Sequence, residues 1–354
     1  MILNKYIIIP RNLVYGKDAK YLISVNKAMP LAGKDIGFLN FEIQCHNKKL
    51  NNIPVLYSTK DQESWNSNYL HKNEIKKLLT IYAHKPKDFL GFKNNKFYIM
   101  GILNITPDSF SQDSINVPNI SKAVKKAIKM YEDGASIIDV GGESTRPGSI
   151  KISIEEEQKR VIPIIKELSK YNIPISCDTR NSSTMQAAID AGACIINDIS
   201  ALSDNKAAGI ISKSKVGLII MHMQGDPNNM QTRPIYKNVS FEIMKYLEEK
   251  RNYAIKEGIK EKNILIDPGI GFGKNDKHNL KIFKDLPLLH SLKSHILIGA
   301  SRKSIIGKIT NAKPPDRLPG SISLAIASIE RGVKFFRVHD VKETKQALSI
   351  WNKI

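Results

Sequence analysis

The chain is 354 residues long, 42% hydrophobic, and carries a formal charge of +20. It is too long for a minimal domain and suits one large domain with an appendage. No stretch approaches the roughly 18 uncharged apolar residues of a membrane helix, and the three cysteines, Cys45, Cys177 and Cys194, form neither an even set nor a metal spacing. The opening stretch lacks a charged leader and a small-residue cleavage site, so a reduced, cytoplasmic setting with no membrane partner is expected.

Residues 1–96 differ in style from the rest. Hydrophobic runs are irregular and polar stretches are long, at 46–52 and 58–68. A small α+β extension of unassigned role is expected. It holds 16 basic and 7 acidic residues, a net +9, and residues 97–354 carry the other +11. Neither part has a sustained basic block interleaved with aromatics. The charge therefore reads as a Lys-rich surface, and no nucleic-acid partner is expected.

From residue 97 a regular rhythm begins. Short apolar runs fall at 97–103, 136–140, 173–177, 194–197, 216–221, 264–266, 295–299 and 334–338. Runs this apolar suit parallel strands buried on both faces. Helical periodicity separates them. Residues 121–133 place Ala123, Val124, Ala127, Ile128 and Tyr131 at helical spacing before Gly134. Residues 153–171 open with acids in the first turn. Further helices end at Gly192, Gly258 and Gly332, and a last one follows Asp340. The expectation is an α/β chain whose residues 97–354 form a (β/α)8 TIM barrel. A doubly wound open sheet is the alternative, and the length favours the barrel.

Barrels place their chemistry at the C-terminal ends of the strands. Here the runs lead into Asn104, then Glu143, Ser144, Thr145 and Arg146, then Asp178, then Asn197 and Asp198, then His222, then Asp267, then Ser301, Arg302 and Lys303, then Arg337, His339 and Asp340. One such residue is ordinarily a cap or turn former. All eight together mark a polar site. Asp178, Asn197 and Asp267 suit a flat heterocycle presenting N–H donors, because a carboxylate accepts two hydrogen bonds in one plane. Asp198 reads as a cap. Arg337 and His339 alternate with Val338 and share one side of the chain; with Arg302 and Lys303 they suit an anion such as a diphosphate. The loop after Asn104 offers oxygen ligands without a His or Cys cluster, which fits magnesium bound partly through a substrate phosphate and does not fit zinc. The glycine-rich turn 267–274 has neither dinucleotide nor Walker spacing. Its glycines would let the backbone and Phe272 approach a flat ligand.

Eight motifs carry a resemblance: 101–111 (GILNITPDSFS), 141–149 (GGESTRPGS), 177–180 (CDTR), 195–200 (IINDIS), 221–225 (MHMQG), 267–274 (DPGIGFGK), 301–304 (SRKS) and 337–341 (RVHDV). In these motifs, in this order, the chain resembles the dihydropteroate synthases. The resemblance implies condensation of a pterin methyl diphosphate with 4-aminobenzoate. It implies that Asp178, Asn197, Met221, Asp267, Phe272 and Lys303 bind the pterin. It assigns the diphosphate to Asn104, Arg337 and His339, with Asn104 also on magnesium, and makes Lys303, Arg337 and His339 the catalytic set. Phe110, Thr145, Arg146, Pro147 and Ser304 would enclose the 4-aminobenzoate, and a homodimer is implied. The chain departs from the family at Gln112–Asp113–Ser114, where two glycines and an aspartate shifted by one residue are usual, and in its long N-terminal extension.

A pterin-binding methyltransferase would share the acids but would not need the 301–304 and 337–341 cations. A sugar-phosphate isomerase or aldolase would want a catalytic Glu or a buried Schiff-base Lys, and neither stands out.

Overall fold

The structure, a computed structural model, describes residues 6–45, 55–65, 70–105, 119–144, 149 and 151–353. Its N-terminal part comprises β1 (Tyr6–Tyr15), α1 (Gly16–Ser24), β2 (Met29–Pro30), β3 (Ile36–Cys45), β4 (Val55–Ser58) and α2 (Lys72–Ile81). Strand β3 is the hub: it pairs antiparallel with β1 on one edge and with β2 and β4 on the other. Period-2 alternation divides the faces of β1. Ile8 joins Phe38, Phe41, Trp65, Ile75, Leu79 and Tyr82 in a core beneath α2. Ile7 and Ile9 face the other way, into the core of the barrel's helical layer. The expected α+β extension is therefore present, with one face of its sheet laid against the barrel's flank.

The barrel is built from β5 (Tyr98–Asn104), β6 (Ile137–Gly141), β7 (Ile175–Asp178), β8 (Ile195–Asp198), β9 (Gly217–Met221), β10 (Ile264–Asp267), β11 (His295–Ile298) and β12 (Phe335–Val338). Each strand is parallel to the next, and β12 pairs with β5 to close the ring. All eight apolar runs are strands, and the open-sheet alternative falls away. Around them lie α3 (Ile120–Glu132), α4 (Ile154–Leu168), α5 (Ser182–Asp190), α6 (Ala207–Ser214), α7 (Val239–Lys256), α8 (Asp276–Asp285), α9 (Ser304–Thr310), α10 (Leu318–Ile329) and α11 (Val341–Trp351). Side chains of Asn119, Ser153, Asn238 and Asn275 accept the N-terminal amides of α3, α4, α7 and α8. Helix α10 carries Pro319 in its first turn, where a missing N–H costs nothing. No helix among the described residues is long and apolar enough to cross a membrane.

Strand alternation writes the barrel in two shells. Ile99, Ile138, Val140, Ile196, Leu218, Ile220, Ile264 and Ile266 point out to the helices. Tyr98, Met100, Ile137, Ile195, Ile219, Leu265, Leu297 and Phe335 point inward and fill the interior together with Phe89. Phe89 precedes the first barrel strand. It reaches the interior from a tight turn in which Leu90 and Gly91 both take positive φ, 46° and 87°. Its ring meets Phe335 edge-on at 5.7 Å. It fits because position 217 is glycine: a Cβ there would lie 2.5 Å from the ring.

Candidate active site at the barrel mouth

The polar site is the next inward layer above this apolar floor. Two residues beyond Ile137, Ile195, Ile219, Leu265 and Phe335 stand Asp139, Asn197, Met221, Asp267 and Arg337, on the same inward side of their strands. Strand register sets Asn104, Gly141, Asp178 and Asn197 side by side on four consecutive strands. Gly141 leaves its neighbours close together: a Cβ there would sit 3.7 Å from both Asn104 Oδ1 and Asp178 Oδ2.

Arg337 is the electrostatic centre. Its Nε donates to Asp139 Oδ2 at 2.6 Å, and its Nη2 donates to Asp178 Oδ2 at 2.7 Å. Asn197 Nδ2 also donates to Asp139 Oδ2, at 3.2 Å. Asp139 is fully buried, and its Oδ1 has no partner among the described residues. The pairing with two carboxylates raises Arg337 further above its ordinary range, against the burial that opposes it. Burial raises the Asp178 carboxyl in spite of Arg337. Asp178 and Arg337, assigned above to the heterocycle and the anion, thus touch one another, and the two halves of the site are continuous.

On the far side, Asp267 is pushed up to about 6 by burial, against the Gly269 N–H that donates to its Oδ1 at 2.7 Å. Gly269, Gly271 and Gly273 all have positive φ. A Cβ at Gly269 would stand 2.0 Å from the His222 carbonyl oxygen, so only glycine allows this turn to fold against the end of β9. The turn delivers Phe272, whose ring lies 4.0 Å from Lys303 Nζ. Phe272 packs with Met221, Ile199 and Met230 in a small apolar cluster. Burial first, and then Arg337, lower Lys303 to about 8.

Lys274 ends this turn, only 2% exposed. Its Nζ reaches the carbonyl oxygens of Phe272 and His222 and lies 2.9 Å from His222 Nδ1. The His222 ring also packs on Tyr246 of α7. His222, one of the polar strand ends, is thereby committed to the turn and the helical layer.

His339 follows β12 and contacts Ser301, beyond β11: Ser301 Oγ accepts the His339 N–H at 3.1 Å and lies 3.0 Å from Nδ1. One residue further along both loops, Arg302 pairs with Asp340 through two hydrogen bonds, Nε donating to Oδ2 at 3.0 Å. Burial and then Arg337 lower His339 to about 4. Ser304 is the exposed first residue of α9. Asp198 is buried and accepts the N–H groups of Ser200 and Leu202, holding the turn after β8.

The structure thus gathers Asp178, Asn197, Met221, Asp267, Phe272, Lys303, Arg337 and His339 around the mouth, with Asn104 beside Asp178. Phe110, Thr145, Arg146, Pro147 and 112–114 lie outside the described residues. Glu143, which precedes Thr145, Arg146 and Pro147, accepts two hydrogen bonds from Arg180, at 2.8 and 3.1 Å. Sequence reasoning passed over Asp139 and Lys274. The available signal for Asp139 was an acid inside an otherwise apolar run, Ile137–Ile138–Asp139–Val140, a position that charges avoid unless paired.

Residues 100–339 match the family described as "Pterin binding enzyme". The chain is similar to the dihydropteroate synthase of Escherichia coli K12, at 42% identity over 254 residues, covering 72% of this chain and 90% of that protein. Among solved structures it is similar to Yersinia pestis dihydropteroate synthase with a sulfonamide drug complex. That match has a TM-score of 0.70 at 38% identity and covers 74% of this chain and 95% of that one. It is also similar to the Xanthomonas albilineans enzyme in complex with 7,8-dihydropteroate, with a TM-score of 0.66 at 35% identity, covering 74% and 94%.

Proposed function

The chain belongs to the pterin-binding enzyme family, and from that premise we propose that it is a dihydropteroate synthase. It joins 6-hydroxymethyl-7,8-dihydropterin diphosphate to 4-aminobenzoate, releasing diphosphate and 7,8-dihydropteroate, a transferase step of folate biosynthesis. The observation that carries this reading is the Arg337 guanidinium fixed between Asp139 and Asp178 at the top of an apolar barrel floor. It joins an acceptor-rich wall to a cationic one within a single mouth.

Asp178, Asn197 and Asp267 accept and donate the in-plane hydrogen bonds of the pterin, Met221 and Phe272 cover its face, and Lys303 closes over it. Arg337 and His339 meet the diphosphate. As the C–O bond at the pterin methylene breaks, their N–H groups stabilise the charge developing on the leaving oxygen. The methylene cation is delocalised into the pterin. The neutral aromatic amine attacks it, and its proton passes to the leaving diphosphate or water. Phe110, Thr145, Arg146, Pro147 and Ser304 enclose the amine substrate and exclude competing water.

Among the described residues no group of three or more His, Cys, Asp or Glu could hold a metal. Asn104 offers a single amide oxygen at the end of β5. That donor suits a magnesium ion held mainly by phosphate oxygens and water. Bound there, magnesium would neutralise diphosphate charge. The enzyme works in the cytoplasm as a homodimer, and the partly exposed Ile322 and Ile326, four residues apart on one face of the apolar α10, suit the subunit contact.

A coupled assay with the pterin diphosphate, 4-aminobenzoate and magnesium tests the reading. Dihydropteroate and pyrophosphate are the expected products, and folded protein that yields neither would overturn it. Asp178→Asn should weaken pterin binding, and Arg337→Ala should lose pyrophosphate affinity. Wild-type binding by both variants would refute this division of the site.

A further inference from the structure

The Ser301–His339 contact limits where the protons of both groups can lie. A serine hydroxyl has one proton to donate and two lone pairs. One lone pair of Ser301 Oγ takes the His339 backbone N–H. The side chain is buried, with Ser301 6% exposed. The one remaining partner for its hydroxyl proton among the described residues is His339 Nδ1, 3.0 Å away. His339 lies near three cations, Arg337, Arg302 and Lys303, opposed by Asp340, and stays neutral at pH 7. A neutral imidazole whose Nδ1 accepts a hydrogen bond carries its proton on Nε2.

We propose that Ser301 is a positioning residue that holds His339 in the Nε2–H tautomer, so that the ring offers an N–H donor to the anion of the substrate. The alternative tautomer would aim a lone pair at that anion. This inference rests on the assignment of His339 to the diphosphate. Ser301 is itself held in place from outside. Arg302, at φ 57°, spans the same two loops through its pair with Asp340. The Arg302 amide donates to Ser321 Oγ at 2.9 Å, and its carbonyl accepts from Arg317 Nη1 at 3.1 Å. These bonds fix the backbone on which Ser301 stands. The hydroxyl proton is therefore directed by the fold as well as by the serine side chain.

Long-range 1H–15N spectra of the full chain labelled with [15N]histidine read the tautomer directly, with His339→Gln identifying the signals. In the wild type, Nε2 is expected to be protonated and Nδ1 unprotonated. In Ser301→Ala the two nitrogens should move toward a mixture of tautomers, and Ser301→Thr should restore the wild-type pattern. By titration calorimetry with inorganic pyrophosphate and magnesium, Ser301→Ala should bind about tenfold more weakly, the value of one lost hydrogen bond, and Ser301→Thr within about twofold of wild type. A protonated Nδ1 in the wild type overturns the proposal whether or not any variant folds. Unchanged His339 signals in folded Ser301→Ala do the same. If the wild-type spectrum is as expected but pyrophosphate does not bind, the tautomer assignment stands and the diphosphate reading fails.

Discussion

Asp139 and the titrating groups of the mouth carry consequences that can be measured separately. Asp139 touches no substrate atom in the proposed reaction, yet it shares the Arg337 guanidinium with Asp178 and receives Asn197. Asp139→Asn keeps the volume and removes the charge. A hydrogen bond to a charged group is worth about 1.5–3 kcal/mol, so kcat/KM for the pterin substrate should fall roughly 10- to 100-fold. Steady-state kinetics at saturating 4-aminobenzoate would show this, and an unchanged kcat/KM would mean that Arg337 orients itself without Asp139. The second consequence is a pH profile. Asp267, raised by burial to about 6, would accept the pterin N–H groups of the proposed complex as a carboxylate. Lys303, lowered by burial to about 8, is a cation only below that pH. The kcat/KM profile should therefore be bell-shaped, with an acid limb at or above about 6, where Asp267 and the likewise raised Asp178 ionise, and an alkaline limb near 8. Lys303→Arg should flatten the alkaline limb, because an arginine keeps its proton.

At the scale of elements, the barrel depends on a piece of chain that precedes its first strand. The turn carrying Phe89 closes the interior, and His295, at the start of β11, lies 3.0 Å through Nε2 from the Lys87 carbonyl oxygen. Phe89→Ala empties a fully buried ring position. It should cost about 3–5 kcal/mol of stability by denaturant titration while leaving KM for both substrates unchanged, since the floor and the mouth are different layers. The sheet of the extension is tied to the barrel by a second device. Arg11 of β1 donates to Glu42 within the extension, and to Asp285 and the Lys284 carbonyl at the end of α8. Ser240 and Lys281 also donate to Asp285. The role of the extension was not legible in the sequence, because irregular hydrophobic runs do not announce which face meets a neighbour. Its structure shows an alternating strand whose Ile7 and Ile9 are core residues of the barrel's helical layer.

For the whole molecule, buried histidines set the response to acid. Burial lowers His290, His295 and His339 to about 4, below the ordinary 6.5. Between those values the unfolded chain binds more protons than the folded one, so stability falls as pH drops from 6.5 toward 4. Asp267, raised in the fold, acts in the opposite sense below about 6. His290 is the cleanest probe. Its Nε2 pairs with the Arg331 carbonyl, and its Nδ1 is buried without a partner among the described residues. Protonation of this residue in the unfolded chain should remove roughly 2 kcal/mol of stability by pH 5. Urea midpoints at pH 7 and 5 should accordingly differ less in His290→Gln than in wild type, and an equal difference would remove His290 from the account. The sequence by itself determined the barrel, because a parallel strand buried on both faces must be an apolar run and the helices between carry their own caps and stops. It also marked the polar mouth, because each strand run leads directly into its loop. Only the tertiary structure decided which of those groups meet. Arg337 and Asp139 lie 198 residues apart, and Arg11 and Asp285 lie 274 apart. The first pair is made by closing β12 onto β5 and the second by docking a separate sheet. Both are events of three-dimensional packing that no local pattern of residues records.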